Sequence, residues 1–311
     1  MKVVLHYAAG PDLAARLATL PGIELAICPE ADDDRFFAEI ADAEVLWHSL
    51  KPCTAAVIAA APKLRLIQKI GIGVNTIDLA AAAARGIPVC NLPGSNSQAV
   101  AEMALLLMLA ALRRLPQFDA DLRAGIWAPA PAVQDRLGEL AGRTVGLIGY
   151  GDIPRRLAPI LTAMGCPILY HTRAPKPDAI GTHVPLDRLL AESDVVSLHI
   201  PLMPDTEKLI GAAAIARMKP GAILVNTARG GLVNQTALTD ALRSGHLGAA
   251  GLDVFAHEPA DPADPIFHLE NVVVAPHVAW MTTGTFDRSF ATAAENVRRL
   301  AAGEALLNQV Q

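Results

Sequence analysis

The chain has 311 residues, 52% of them hydrophobic and 18% charged, with a net charge of −5. That length and apolar fraction fit two domains with substantial cores and exclude a disordered chain. The acidic balance, with no long Lys/Arg run, argues against nucleic acid or an anionic membrane surface and leaves a small molecule as the expected partner.

From the N-terminus, residues 2–7 (KVVLHY) and 23–28 (IELAIC) read as strands, with a helix over 13–20 between them. A helix over 33–41, a strand in EVLWHS, a helix over 54–60 and a strand over 64–70 (LRLIQKI) continue the alternation. This rhythm predicts an α/β fold with a parallel sheet, helices on both faces and binding loops at the carboxyl ends of its strands. GIGVN, residues 71–75, lies at one such end. Its N–H groups suit an anion-binding nest for a carboxylate as well as they suit an ordinary strand-to-helix turn. After a helix over 79–85 and the strand IPVCN, Ser95 and Gln98 fit a capping box that opens a long apolar segment over 99–115. The apolar run 103–112 is bounded by Glu102 and by Arg113-Arg114, short of the ~20 residues of a membrane span, which predicts a buried helix. Residues 125–137, with Pro129 and Pro131, break the rhythm and are expected to cross the surface before a second α/β unit begins.

That unit opens with TVGLIGYGDIP, residues 144–154. An apolar strand runs into Gly149-Tyr150-Gly151 and then a helix, most of a dinucleotide fingerprint: the first glycine permits the bend and the second lets backbone approach a pyrophosphate at the helix N-terminus. Pro154 replaces the third glycine and is compatible with the first helical turn, whose N–H groups lack intrahelical partners. Asp152 puts a carboxylate next to the expected pyrophosphate unless it caps the helix and points away. About 20 residues on, where an NAD site usually offers an acidic side chain, stands His171-Thr172-Arg173, with no carboxylate until Asp178. A guanidinium with hydroxyl and imidazole donors favours the 2′-phosphate of NADP, with NAD as the alternative.

Four more strands follow, in DVVSLHIPL (194–202), AILVNTARGG (222–231), GAAGLDVFAHEP (248–259) and VVVAPHVAW (272–280). Strand ends on one edge of a parallel sheet face one crevice, so His199, Arg229, Asp253, Glu258 and His277 are expected there. Cys28, Cys53, Cys90 and Cys166 form no Cys-x-x-Cys pair and read as reduced, buried thiols. The short apolar run between Met1-Lys2 and His6 is too little for a signal peptide, and the cytoplasm is the expected compartment.

In order and spacing, GIGVNTID, PGSNSQAVAE, ELAGRTVGLIGYGDI, SLHIPLMPDTEKLI, NTARGGLVN, GLDVFAHEP and APHVAW resemble the D-isomer-specific 2-hydroxyacid dehydrogenases over nearly the whole chain. The resemblance implies a Rossmann-type nucleotide domain, residues 98–279, inserted into a flavodoxin-like substrate domain of residues 1–97 and 280–311. It also implies a homodimer, a cleft that closes on substrate, and no metal. The family's catalytic Arg, Glu and His fall on Arg229, Glu258 and His277. Gly149, Gly151, Asp152 and Ile153 match its pyrophosphate loop, Asp253 its contact to the nicotinamide carboxamide, and Thr206 and Thr227 further cofactor contacts, with His171, Thr172, Arg173 and His199 completing the expected cofactor set. Substrate contacts are expected from Ile72, Gly73 and Val74 together with Arg229, His277 and Trp280. Asn75 departs from the family's usual Asp.

The HTR triplet and PHVAW resemble the glyoxylate and hydroxypyruvate reductase branch, so the expected activity is hydride transfer between NADPH and a small 2-oxo acid. D-lactate or a bulkier acid is the alternative within the family. The formate dehydrogenase branch pairs its His with Gln rather than Glu, and phosphoglycerate oxidation is disfavoured because the sequence stops at Gln311, before a regulatory domain. From another class, a non-catalytic dinucleotide sensor shares this fold; the filled catalytic positions argue against it.

Overall fold

The computed structural model describes residues 1–128 and 130–311, and divides into two compact units, Met1–Asn96 with Met281–Gln311, and Ser97–Trp280. Pro129, expected to help break the rhythm, lies outside the described residues.

The first unit runs β1 (Lys2–His6), α1 (Pro11–Leu17), β2 (Glu24–Cys28), α2 (Asp33–Ile40), β3 (Val45–His48), α3 (Ala55–Ala59), β4 (Leu66–Lys69), α4 (Leu79–Ala84) and β5 (Val89–Cys90). Its strands are all parallel, in the order β2-β1-β3-β4-β5. Short polar side chains start three of these helices: Asp32, Thr54 and Asp78 accept from the N–H groups of Arg35, Val57 and Ala81. The pleat divides the apolar residues between two cores. Val4, Leu46 and Ile67 pack with Phe36, Ile40 and Val57. Val3, Leu5, Val45, Trp47 and Leu66 pack with Phe290, Ala293 and Val297, which come from the chain's last helix.

The second unit begins with α5 (Ser97–Arg113), α6 (Leu115–Arg123) and α7 (Pro131–Gln134). It continues as β6 (Val145–Ile148), α8 (Asp152–Ala163), β7 (Ile168–His171), β8 (Thr182–His183), α9 (Leu186–Glu192), β9 (Val195–Leu198) and α10 (Ala212–Arg217). It closes with β10 (Ala222–Asn226), α11 (Gln235–Ser244), β11 (Leu247–Leu252) and β12 (Val272–Val274), after which α12 (Thr283–Ala302) belongs to the first unit. The seven strands are parallel, in the order β12-β11-β10-β9-β6-β7-β8. One face packs on α5 and α8 through Leu107, Met108, Leu157 and Leu161, the other on α9 to α11 through Leu189, Ile215 and Leu238. Chain order reverses between β6 and β9, the kind of switch point where the carboxyl ends of strands leave a ligand crevice.

Two local expectations are corrected. The helix expected to reach residue 115 stops at Arg113, because Arg114 takes a left-handed conformation (φ 49°) and Pro116 has no N–H with which to continue the ladder. The capping box of Ser95 and Gln98 does not form: the Ser95 hydroxyl donates to Leu92 O (3.0 Å), and Gln98, already inside α5, donates to Glu102 (2.7 Å). α5 begins only at Ser97, so Ser95 lies two residues before the helix rather than at its cap position.

Candidate functional site

At the nucleotide end, β6 passes through Gly149 into α8. Gly149 has φ +97°, and a Cβ there would lie 2.5 Å from His199 O, so this position admits only glycine. Gly151 is the N-cap residue; nothing lies within 4 Å of a Cβ built on it, and no side chain caps the helix. In the first turn the N–H groups of Asp152 and Ile153 have no intrahelical partner and donate no other backbone hydrogen bond among the described residues, which suits anion binding. Asp152 does not cap the helix; it is the first residue of α8 and exposed. Ile153 is half-buried, and buried Pro154 occupies the third helical position, with Arg155 N bonded to Gly151 O (3.1 Å) directly after it.

Beyond β7, His171 Nδ1 donates to Val184 O (3.0 Å), the Thr172 hydroxyl donates to Ala174 O (2.6 Å), and Arg173 is exposed with no ion pair among the described residues. Thr206 organises the turn after β9 by accepting from Met203 N (2.7 Å) and donating to Pro201 O (2.9 Å). Half-buried His199 bonds Ser197 through Nε2 (2.9 Å), and desolvation pushes its imidazole down to about 3, so it is neutral. Its Nδ1 and the buried Thr227 Oγ1 have no hydrogen-bond partner among the described residues. Orphaned buried polar atoms are rare, and a polar ligand such as a dinucleotide would satisfy them.

The ends of β10, β11 and β12 carry the remaining residues. Asn226 bridges the turn after β10, accepting from Ala228 N (3.0 Å) and donating to Arg229 O (2.9 Å). Arg229 is held in extended backbone (φ −147°) with its Nη1 donating to Ala228 O (2.6 Å). Burial lowers its guanidinium and the Glu258 charge raises it, so the two are within electrostatic reach. Asp253 is 1% exposed at the end of β11, and its two carboxylate oxygens accept from Val278 N (2.8 Å) and Ala279 N (2.9 Å). His277 N donates to Asp253 O (2.7 Å), and the Trp280 indole donates to His277 O (3.1 Å). These bonds hold His277 at φ +55°, a conformation a histidine keeps only when its surroundings impose it.

His277 Nδ1 meets Glu258 Oε2 at 2.6 Å, while Glu258 Oε1 accepts from Phe255 N (3.0 Å). Burial alone would raise the Glu258 carboxyl; the His277 and Phe255 hydrogen bonds, with the nearby positive charges, hold it below the usual carboxylate range. An ionised carboxylate at Nδ1 fixes the ring and leaves Nε2 to exchange a proton, the arrangement of an oriented acid–base pair. In the first unit the loop after β4 exposes Ile72 and half-buries Gly73 and Val74. Asn91 donates to Ile72 O (3.0 Å), and among the described residues the N–H groups of Gly73 and Val74 donate no hydrogen bond.

Residues 105–279 match the profile described as D-isomer specific 2-hydroxyacid dehydrogenase, NAD binding domain. The chain belongs to the D-isomer-specific 2-hydroxyacid dehydrogenases. Among curated relatives, a D-3-phosphoglycerate dehydrogenase of Mycobacterium leprae is 41% identical over 97% of this chain and 54% of its own length. A glyoxylate reductase of Korarchaeum cryptofilum is 43% identical over 81% of this chain and 78% of its own. A crystal structure of a Thermus thermophilus protein superposes over the full length of both chains with a TM-score of 0.91 at 36% identity. The chain spans about half the length of the phosphoglycerate dehydrogenases it matches. This member of the 2-hydroxyacid dehydrogenases, a family of oxidoreductases, thus contains the family's unit for a nicotinamide dinucleotide.

The candidate site also rests on two residues that motif reading passed over. Asn226 shapes the Arg229 turn, and its signal was an Asn directly before a turn, where its side chain mimics a backbone turn. Gln235 accepts from Ala256 N (2.9 Å) and donates to Asp264 (2.6 Å), tying down both ends of the Glu258 loop; no local pattern announces it.

Proposed function

We propose that this chain catalyses hydride transfer between NADPH and a small 2-oxo acid, with glyoxylate or hydroxypyruvate as substrate. The observation that carries this reading is the Glu258–His277 contact at 2.6 Å, with the half-buried Arg229 guanidinium within electrostatic reach of Glu258. Arg229 orients the substrate carboxylate and 2-oxo group with its planar fork. Ile72, Gly73 and Val74 contribute N–H groups to carboxylate binding, and Trp280 limits the acyl chain. His277 gives a proton to the carbonyl oxygen in reduction and takes it back in oxidation, while Glu258 stabilises the charged ring. When bound, the nicotinamide supplies or accepts the hydride. The first turn of α8 with Gly149 and Gly151 holds the pyrophosphate, Arg173 binds the 2′-phosphate beside Thr172, whose hydroxyl shapes the loop by donating to Ala174 O, and His199, Thr206, Thr227 and Asp253 line the cofactor site. Residues 98–279 form the dinucleotide domain and residues 1–97 with 280–311 the substrate domain.

D-3-phosphoglycerate is the second reading, supported by the relatives of that name. A matrix of kcat/KM values, for NADH and NADPH with glyoxylate and hydroxypyruvate and for NAD+ and NADP+ with D-lactate and D-3-phosphoglycerate, decides between them. The primary reading expects the highest value with NADPH and a two- or three-carbon 2-oxo acid. A higher value with D-3-phosphoglycerate overturns it, and tight cofactor binding without turnover of any acid points to a sensor.

The chain is proposed to pair with a second copy through the apolar surface of Leu115, Leu122, Ile126 and Trp127, the last 87% exposed, since such a patch on a monomer is unfavourable. Light scattering of the native chain and of Trp127→Asp tests this; a native monomer refutes it. The four cysteines are buried and unpaired, which suits a reducing cytoplasm.

A further inference from the structure

The loop between β7 and β8, residues 172–181, is held by side chains whose placement no fingerprint describes. The chain has only three tyrosines, and two of them meet here. Tyr150, between the two glycines of the turn, accepts from Ile180 N (2.7 Å) and donates to Ile180 O (3.2 Å). Tyr170, on β7, accepts from Lys176 N (3.1 Å) and donates to Lys176 O (3.4 Å). Both rings are buried, with centroids 4.8 Å apart. Each hydroxyl thus has its donor and acceptor capacity filled by the backbone of one loop residue, a bidentate grip that fixes orientation as well as position. His183 Nε2 donates to Thr172 O (2.9 Å) at the loop's entry.

A third grip is ionic. Asp178 is the sole carboxylate in residues 172–181, which also contain Arg173 and Lys176. Arg155, on α8, pairs with both of its oxygens, with one contact at 3.0 Å, and its guanidinium lies 6.0 Å from the Tyr150 ring centroid. An unpaired carboxylate in this loop would repel a 2′-phosphate; paired with Arg155, it leaves the field of the loop to Arg173 and Lys176.

We propose that Tyr150, Tyr170 and Arg155 are positioning residues for cofactor selectivity: they lock the 172–181 loop so that Arg173 is presented in fixed geometry to the adenosine 2′-phosphate. Because Tyr150 stands within the glycine turn, the same residue couples the pyrophosphate turn to the phosphate-reading loop. This rests on the NADP reading above. Preorganisation lowers the ordering entropy that binding would otherwise have to supply, and it acts only on the contact that the loop makes. NADH, which lacks the 2′-phosphate, draws little on it.

Dissociation constants for NADPH and NADH, measured by calorimetry on the native chain and on Tyr150→Phe, Tyr170→Phe and Arg155→Gln, test the proposal. Each Tyr→Phe change removes a pair of hydrogen bonds and is expected to weaken NADPH about tenfold while moving NADH by about twofold or less. Arg155→Gln is expected to weaken NADPH selectively, and Arg155→Gln with Asp178→Asn to recover part of the loss, a charge effect that a purely structural role would not produce. If the native chain prefers NADPH and the NADPH/NADH ratio is unmoved in the three variants, the positioning role is overturned and the NADP reading stands. A native chain that prefers NADH overturns both. Should a tyrosine variant fail to fold, the Arg155 variants, confined to an exposed ion pair, decide the same ratio.

Discussion

Replacing Asp253 with Asn perturbs the residue on which the His277 loop hangs. In the native chain its two oxygens accept the N–H groups of Val278 and Ala279 at 2.8 and 2.9 Å. Asparagine keeps one acceptor and turns an amide NH2 toward the other N–H, so one bond is lost and one buried donor is left unsatisfied. A hydrogen bond to a charged group contributes about 1.5–3 kcal/mol and an orphaned donor costs about 1–3 kcal/mol. Against this, burial raises the Asp253 carboxyl above its ordinary range, so the ionised native side chain bears a desolvation cost that Asn avoids. The net loss is expected to be about 2 kcal/mol, within the range for broken buried networks. Because the folded carboxyl is raised, its contribution is fully present below the ordinary Asp value and is lost as pH rises through the folded value; the gap between native and variant should therefore narrow as pH increases across that window. Urea unfolding followed by circular dichroism from pH 4 to 8 reads the stability. Turnover should fall about tenfold or more, because the affected N–H groups directly follow His277 and small misplacements of a proton donor are expensive. An unfolding midpoint and kcat both equal to those of the native chain would refute the role assigned to Asp253.

Glu258→Gln keeps an acceptor for Phe255 N but removes the charge facing His277, and kcat should drop by roughly 10- to 100-fold, as expected for a lost charge-assisted bond at an acid–base residue; a steady-state value within about twofold of native would count against the pair. Gly230→Ala places a Cβ into the Phe255 carbonyl, backbone against backbone, and should lower the urea midpoint by an amount equivalent to several kcal/mol, displacing neighbouring Arg229; a variant with native stability would show that the turn relaxes freely. Burial, reinforced by Lys51, lowers His6 to about 4, and burial lowers His199 to about 3. The folded state then binds fewer protons than the unfolded one, so stability should decline as pH falls from about 6.5 toward 4, at up to ~1.4 kcal/mol per unit per histidine. His6→Phe should flatten the slope in urea unfolding, and an unaltered slope would exclude His6 as a source.

Sequence alone determined the alternation of strand and helix, and with it the parallel class of both sheets, because period and apolar runs act locally. It also placed the candidate site residues at strand ends, since a parallel sheet sends all its carboxyl ends to one edge. Glycine at 149 was legible for the same reason: tight turns restrict residue type locally. What it misjudged was competition among local partners. Ser95 had the right spacing for a cap, but the helix starts only at Ser97 and the Ser95 hydroxyl turns to the Leu92 carbonyl; the helix over 99–115 had the right composition, but Pro116 and the left-handed Arg114 ended it early. Only the tertiary structure decided how the site is held. Glu258 meets His277 across 19 residues, Asp253 reaches Val278 and Ala279 across 25 and 26, and Tyr150 reaches Ile180 across 30. Such bonds form between loops that sheet order brings together, and periodicity records which face a residue takes, not which distant backbone group its polar end will satisfy.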